Sequence, residues 1–390
     1  MNFHFNFRPV GQGGFTSITI KDNDSIFNII YDCGSVTSGS YLYNEITKAK
    51  TDLIQVEEKK VIDLLIISHF DEDHVNGIQE LLQNVHCKIL VIPFMTIVER
   101  LVLFTKGSKK SDWHIRLLQN PKSFFEQEGF QIDKILMIDC DNPEQEKTTT
   151  EFSLSNNVQS NDNIQSNVSG QINRIINSGL TFDNKVLYMQ IPFSLKIESI
   201  GLKLKFYIQP LPKASIATFE NFVKYQFHKI ELIKLFNNKY RSNLRSLYKI
   251  AFKKINKTSL CVSIFKEKYS WIHYSGDPNP HFNYDTRLSG VMMTGDAYLK
   301  SRKNREAFIN YYEKEIDKTL VYQIPHHGSK ANSKLDNSNK LWNFELSIMQ
   351  YGIGRKKHPS KEVINYISNH NINFKSITEN EGFEFEYTIC

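Results

Sequence analysis

The sequence predicts an α/β protein built as a two-layer sheet sandwich, and three features carry that expectation. Short aliphatic or alternating runs of strand length recur along the 390 residues, with stretches of helical period between them. Acids and histidines fall at the ends of these runs, next to glycine or proline turns, where the sites of α/β sheets gather. The run 61–67 is aliphatic except for Asp63, so it has no polar face and reads as a strand covered on both sides.

In chain order, 1–10 alternates Phe3, Phe5 and Phe7 as a strand does. Strands follow at 15–20, 26–31, 61–67 and 88–92, each rich in β-branched or aromatic residues. The same signal recurs at 134–138, 185–191, 202–208 and 259–265, and again at 291–293, 320–324, 345–350 and 383–388. Helical spacing appears after His74, where Val75, Ile78, Leu81 and Leu82 make one stripe. It appears again around 111–128, across 222–255, at 299–317 and at 361–368. From Asp141 to Asp183 the chain is rich in Ser, Asn, Gln and Thr, with too little apolar material for a core, and reads as a surface insertion.

Composition narrows the class. Hydrophobic residues at 40% and aromatic residues at 12% are those of a globular protein, and 390 residues can bury a large core. No run approaches the roughly 18 apolar residues that a membrane span needs, and the amino terminus lacks a signal-peptide core. The five cysteines, Cys33, Cys87, Cys140, Cys261 and Cys390, are scattered and include no CxxC pair. That excludes a disulfide framework and a thiolate zinc site, and suits a reducing cytoplasm. A net charge of +6 permits a polyanionic partner without demanding one.

The most specific chemistry is the run Ser68-His69-Phe70-Asp71-Glu72-Asp73-His74, directly after the 61–67 strand. Four potential ligands in six residues, on a strand-to-helix turn, are hard to justify as packing or as a solvated acidic loop, and point to a metal site. Asp73 and His74 open the following helix, so its first turn aims both at one point. Further polar motifs lie along the chain: Gly11-Gln12-Gly13-Gly14, Tyr31-Asp32-Cys33-Gly34-Ser35, Thr294-Gly295-Asp296-Ala297, Pro325-His326-His327-Gly328-Ser329 and His358-Pro359-Ser360. Five of the twelve histidines sit in these motifs, and packing histidines have no reason to choose turns repeatedly. Asp277, in Gly276-Asp277-Pro278, reads as an ordinary turn.

The ordered set GQG, YDCGS, SHxDxDHxxG, TGDA, PHHGS and HPS resembles the metallo-β-lactamase fold, and within it the hydrolase domain of ComEC-type competence proteins. The resemblance covers about 5–77 and 259–366 and leaves 94–251 without a motif. It implies an αββα metallo-β-lactamase sandwich over 1–390, with a polar-loop insertion at 94–184 and a basic helical insertion at 211–257. It implies one or two divalent ions, Mn2+ or Zn2+. His69 and Asp71 match the first metal position, Asp73 and His74 the second, Asp296 the bridging acid and His358 the late histidine. Asp32 matches an acid that supports the ligands by hydrogen bonds. Most of the fold family carries HxHxDH. Here Asp71 replaces a histidine, and a carboxylate shifts preference from zinc toward manganese or another hard ion. His86, His114 and His228 read as surface or packing residues, so the first position is weak or is completed by His326 or His327. In the implied hydrolysis, which uses metal-activated water, Asp73 orients the nucleophile. His326 or His327 meets developing charge or protonates the leaving group, and Ser329 and Lys330 hold phosphate.

The substrate expectation comes from the middle of the chain. From Lys224 to Lys257 there are ten Lys or Arg against one acid, Glu231. Ile233, Phe236, Tyr240, Leu244, Leu247 and Ala251 step by three and four, leaving Lys234, Arg241, Arg245 and Lys249 on a separate face. With Arg355, Lys356 and Lys357 just before His358, this basic surface suits a nucleic-acid backbone; a solvated face in a lysine-rich chain is the plainer alternative. Three functions fit these residues: a nuclease or phosphodiesterase acting on DNA or RNA, a hydrolase of a small ester, lactone or nucleotide-derived substrate, and a non-catalytic regulatory subunit. The first is preferred, because the motif acids and histidines are in place apart from a mid-chain histidine. Resemblance to stand-alone proteins of bacterial conflict and phage-defence loci implies a regulatory protein partner, and no membrane.

Overall fold

The computed structural model describes residues 1–390 except 24, 54, 57–58, 108, 141–149, 155–184, 253–258, 267–271, 276–287, 337–339, 356 and 390. Most of the polar stretch from Asp141 to Asp183, the Asp277 turn, the basic residues 253–257, Lys356 and Cys390 therefore lie outside the described residues.

Strands β1 (Asn2–Phe7), β2 (Gly13–Asp22) and β3 (Ser25–Ser35) form an antiparallel meander. Helix α1 (Tyr41–Asp52) and the short β4 (Gln55–Val56) lead into β5 (Lys59–Ile66). Helices α2 (Glu72–Val75) and α3 (Ile78–Leu82) precede β6 (Val85–Pro93). Helices α4 (Ile97–Thr105), α5 (Asp112–Gln119) and α6 (Pro121–Gln127) lead to β7 (Gln131–Asp139). Then come β8 (Thr150–Leu154), β9 (Val186–Gln190), β10 (Phe193–Ile197) and β11 (Leu202–Ile208). Helices α7 (Lys213–Gln226) and α8 (Asn238–Ala251) separate these from β12 (Leu260–Lys266), β13 (Ile272–Ser275) and β14 (Gly290–Met293). Helices α9 (Arg302–Tyr311) and α10 (Glu313–Ile316) precede β15 (Thr319–Gln323) and β16 (Leu346–Gln350). Helix α11 (Lys361–Asn369), β17 (Phe374–Ile377) and β18 (Phe383–Ile389) close the chain.

Two sheets result. The first runs β13-β18-β1-β2-β3-β5-β6-β7-β9 with β4 on β5, and the second runs β17-β16-β15-β14-β12-β11-β10-β8. They pack face to face. Ile29, Tyr31, Leu64, Ile66, Ile89 and Val91 share one core with Leu204, Phe206, Val262, Met292 and Val321 of the other sheet. Their neighbours Ile30, Leu65, Ile67, Leu90 and Ile92 point the other way, into a second core shared with α1, α3, α4, α5, α7 and α8. Period-two alternation thus buries both faces of β3, β5 and β6, as the unbroken aliphatic sequence requires. Helices also cover the outside of the second sheet, where Phe308 of α9 meets Tyr207 edge-on, 5.4 Å between ring centroids.

The order of parallel strands positions the site. β3, β5, β6 and β7 are parallel neighbours in the first sheet, and β14, β15 and β16 in the second. Their carboxyl ends bring Asp32, the 68–74 loop, Asp296, the His326-His327 turn and the loop to His358 to one edge of the sandwich.

The expected helix across 222–255 is corrected to two helices, α7 and α8, with a short 3-10 turn at Leu232–Leu235 between them. Asn237 starts α8 afresh, its side chain accepting from Lys239 N at 3.0 Å. Lys234 therefore lies on the turn, not on the helix face that carries Arg241, Arg245 and Lys249. The stretch expected as an insertion at 94–184 opens with α4, α5 and α6 and returns through β7, an integral strand of the first sheet. Cys33, Cys87, Cys140 and Cys261 are free thiols. Among the described residues no helix is long and apolar enough to cross a membrane.

Candidate metal centre

Asp32 stands at the end of β3 with φ 57°, fully buried. Its Oδ1 accepts from Ser68 N and its Oδ2 from Ser68 Oγ, both at 2.7 Å, and Oδ2 also accepts from His74 Nδ1 at 2.8 Å. It therefore holds the loop after β5 by hydrogen bonds. Because Ser68 Oγ spends its hydrogen on Asp32, it acts as acceptor toward His69 Nδ1, 2.9 Å away.

The second sheet supplies matching supports. Asp296 follows β14 and is fully buried, its own N donating to Ser259 Oγ at 3.0 Å. His326 and His327 both take left-handed backbone, φ 51° and 54°, which costs about 1–3 kcal/mol each and marks a turn held by its surroundings. His327 Nδ1 donates to Gln350 O at 2.8 Å, and His326 Nδ1 lies 2.6 Å from Asn332 Oδ1. Asn332 in turn donates to the carbonyls of Asp296 and Ala297.

These supports share one consequence. With each Nδ1 engaged as a donor, the Nε2 of a neutral ring is left an acceptor, and it faces carboxylate oxygens. Asp296 Oδ2 lies 3.4 Å from His69 Nε2 and 3.5 Å from His326 Nε2. Its Oδ1 lies 3.4 Å from His74 Nε2 and 3.6 Å from His327 Nε2. His327 Nε2 is also 3.3 Å from Asp73 Oδ2, and His69 Nε2 is 3.8 Å from Asp71 Oδ2. The Nε2 atoms of His69, His74 and His327 are buried without a hydrogen-bond partner. Acceptors facing acceptors in a buried space call for cations, and this donor set fits divalent metal ions. With no cation between them, burial opposes charge on His74, but Asp32, Asp296 and Asp73 outweigh it and push its pKa well above the ordinary range; a metal ion at Nε2 would take the place of that proton.

Among the described residues three groups are compact enough to hold an ion: His69 with His74 and Asp296, Asp73 with His74 and His327, and His69 with Asp71 and Asp73, with ligand atoms within 4.8 Å of one another. His326 and His358 flank them, the His358 ring 4.6 Å from that of His326 and 6.3 Å from that of His327. Glycines let the loops close around this cluster. A Cβ on Gly14 would lie 2.9 Å from His74 Nδ1, and one on Gly34 would lie 2.6 Å from the His74 backbone.

Sequence reasoning left His114 as a packing residue. It is fully buried and not among the ligand groups, yet it holds the ligand loop. Its Nε2 donates to Phe70 O at 2.6 Å and its Nδ1 meets Glu72 Oε1 at 3.1 Å, gripping both neighbours of Asp71. The His114 hydrogen bond, against the effect of burial and with help from Lys110, holds the Glu72 carboxyl below the usual range. His114→Ala is expected to lower metal affinity about 10–100-fold, the usual cost of losing a group that orients ligands, with activity restored at high metal concentration. Metal titration checks this, and an unchanged affinity would make His114 a packing residue after all. His86 pairs with Asp133 at 2.8 Å, and His228 is exposed.

The expected nucleic-acid contacts are dispersed. Lys234 pairs with Glu231 at 3.3 Å, Lys330 with Glu362 at 2.7 Å, and Arg355 donates to Val36 O at 2.8 Å. Lys249 is exposed. Arg241 donates to the carbonyls of Phe104, Thr105, Lys106 and Gly107, capping the end of α4, and Arg245 reaches Gly107 O at 3.5 Å.

The fold and site define a two-sheet α/β protein with a buried histidine–aspartate cluster suited to divalent metal. No protein-family model matches the sequence, and no curated protein matches it. Among solved structures it is similar to the metallo-beta-lactamase fold protein YhfI from Bacillus subtilis, at 9% identity and a TM-score of 0.38, covering 98% of this chain and 99% of that one.

Proposed function

We propose that the chain is a metal-dependent phosphodiesterase of the metallo-β-lactamase fold, related to ComEC-type hydrolase domains and acting on DNA or RNA. The observation that carries the reading is Asp296, whose two oxygens each face two imidazole Nε2 atoms. A shared acid between two ligand sets suits a pair of ions. His69 and Asp71 would belong to one set, with His326 on its open side, and Asp73, His74 and His327 to the other, while Asp296 faces both. Asp32 keeps His74 in the tautomer that ligates, and Gln350 O does the same for His327. Divalent ions supply Lewis acidity and lower the pKa of water at such a site, and a pair steadies the attacking and leaving oxygens of a phosphodiester. His358, beside His326 at the edge of the cluster, stands where a leaving oxygen needs a proton. Three carboxylates among the ligands make the set hard, which suits phosphoryl chemistry and manganese.

Metal-stripped protein reconstituted ion by ion, and assayed on plasmid, single-stranded DNA, RNA and a chromogenic phosphodiester, tests the reading. Activity is expected to be higher with manganese than with zinc. A tightly held zinc pair with full activity would overturn the ion preference. Failure to cleave any phosphodiester with any ion would overturn the function.

A further inference from the structure

Three cations from two separate segments converge on the turn at Gly107, between α4 and α5. Arg241 and Arg245, one helical turn apart on α8, both direct guanidinium nitrogens at Gly107 O. Lys110 folds back from the other side, its Nζ 3.7 Å from the point where a Cβ on Gly107 would sit. Lys110 is only 6% exposed, and its backbone is bound on both sides by the Asn238 side chain, so the lysine is held in place by α8. Among the described residues none of the three forms an ion pair with a carboxylate. Burial, then Arg245, with Glu72 opposing, holds the Arg241 guanidinium below its ordinary range. The acid that acts on both Lys110 and Arg241 is Glu72, which lies between the ligands Asp71 and Asp73.

Three cationic side chains gathered at one turn attract an anion, although the α4 carbonyls already satisfy Arg241 and Asp112 lies in the cavity beside Lys110. Its position narrows the anion. Helix α5 starts directly after Lys110, and its His114 grips Phe70 and Glu72, so the cluster is joined to the metal loop through one short helix. The first turn of α5, from Ser111 to His114, joins Lys110 to the residue that grips the ligand loop. Lys110 also lines an open cavity of about 740 Å³ together with Lys109, Arg116, Asn237 and the acid Asp112, while Arg241 and Arg245 lie outside its lining. A small substrate held at the metals does not need a second cationic centre there, whereas a polymer with regularly spaced phosphates does.

We infer that Lys110, Arg241 and Arg245 form a subsite for a backbone phosphate of a nucleic-acid strand, separate from the phosphate that is cleaved. The subsite rests on the phosphodiesterase reading and names where the strand lies: over the α4–α5 turn, beside the ligand loop. Arg241 is committed to carbonyls through Nε and Nη2, so it shapes the turn and offers Nη1; Lys110 and Arg245 supply the remaining charge.

The test is the variant Lys110→Gln/Arg245→Gln in the metal-loaded protein, leaving the Arg241 cap intact. Single-stranded oligonucleotides of two and twelve nucleotides are compared by kcat/KM across a salt series, with metal content measured in parallel. The wild type is expected to favour the longer strand, and the variant to lose about tenfold of that preference through KM. Its log–log salt slope should fall by about 0.7, the value per phosphate contact on single strands. Lys110→Arg alone should keep the length preference. An unchanged preference and slope in the double variant would overturn the subsite and leave the function standing. Loss of bound metal in the double variant would overturn it also, since the cations would then be structural. A wild type that cleaves a chromogenic diester but no oligonucleotide removes the subsite alone; one that cleaves neither removes the function with it.

Discussion

Replacing Asp296 with asparagine is expected to abolish hydrolysis, with a loss beyond the roughly 100-fold that removing a supporting group costs at a metal centre. The amide matches the carboxylate in shape, so the packing at the end of β14 should persist. The backbone there is pinned independently: Gln323 Oε1 accepts from Thr294 N and Gly295 N, and Ser259 Oγ from Asp296 N. What changes is charge. One of the two oxygens that face His69 and His326, or His74 and His327, becomes an NH2 group that no metal ion accepts as a ligand. Asp73→Asn and His74→Ala should behave alike, losing activity without unfolding, because each removes a ligand at a turn whose packing comes from β5. Asp32→Asn should be milder, at about 10–100-fold, since Asp32 acts only through Ser68 and His74. Elemental analysis with turnover decides the ranking. An Asp296→Asn protein with full metal content and near-normal rate would remove Asp296 from the centre.

The candidate cluster was legible because its residues sit in short motifs at strand ends, and the strands were legible because both faces are apolar. Leu64 and Ile66 enter one core, Leu65 and Ile67 the other, so no polar residue breaks the run near the site. Two helices were not legible, for opposite reasons. In α4, residues Val98 to Thr105 are all buried, Glu99 and Arg100 included, so polar and apolar positions do not separate into faces and there is no period to read. In α1 a core-facing position is taken by Glu45, buried against Arg8 at 3.4 Å, which erases the apolar stripe. Across 222–255 the stripe kept its spacing through a turn, and periodicity does not register the Asn237 cap that begins a new helix. The supports of the site were hidden for another reason. His114, Asn332 and Gln350 are polar residues outside the motifs, and only the tertiary fold brings them to Phe70, His326 and His327. Lys110 was one lysine among many until α8 was seen to hold it beside Gly107.

Gly34→Ala is expected to disable the centre without touching a ligand. Gly34 does not use the left-handed backbone that favours glycine, so alanine costs nothing in conformation there, and any effect is steric. The added Cβ would lie 2.6 Å from His74 N and C and from Val75 N. Those are backbone atoms at the start of a helix, and they cannot rotate aside as a side-chain tip would. Restoring ordinary contact at 3.4 Å moves the first turn of α2 by about 0.8 Å relative to β3. Asp73 and His74 travel with that turn, while Asp296 and His327 stay with the second sheet, so the two halves of the ligand set part. A misplacement near 1 Å costs on the order of 100-fold in rate, and overpacking of this kind about 1–3 kcal/mol in stability. Metal affinity, turnover and thermal midpoint should therefore fall together, with affinity recovering least at high metal concentration because geometry, not orientation of one ring, has changed. A Gly34→Ala protein that binds metal and turns over like the wild type would show that the loop after β5 has slack, and that the ligand positions do not depend on its contact with β3.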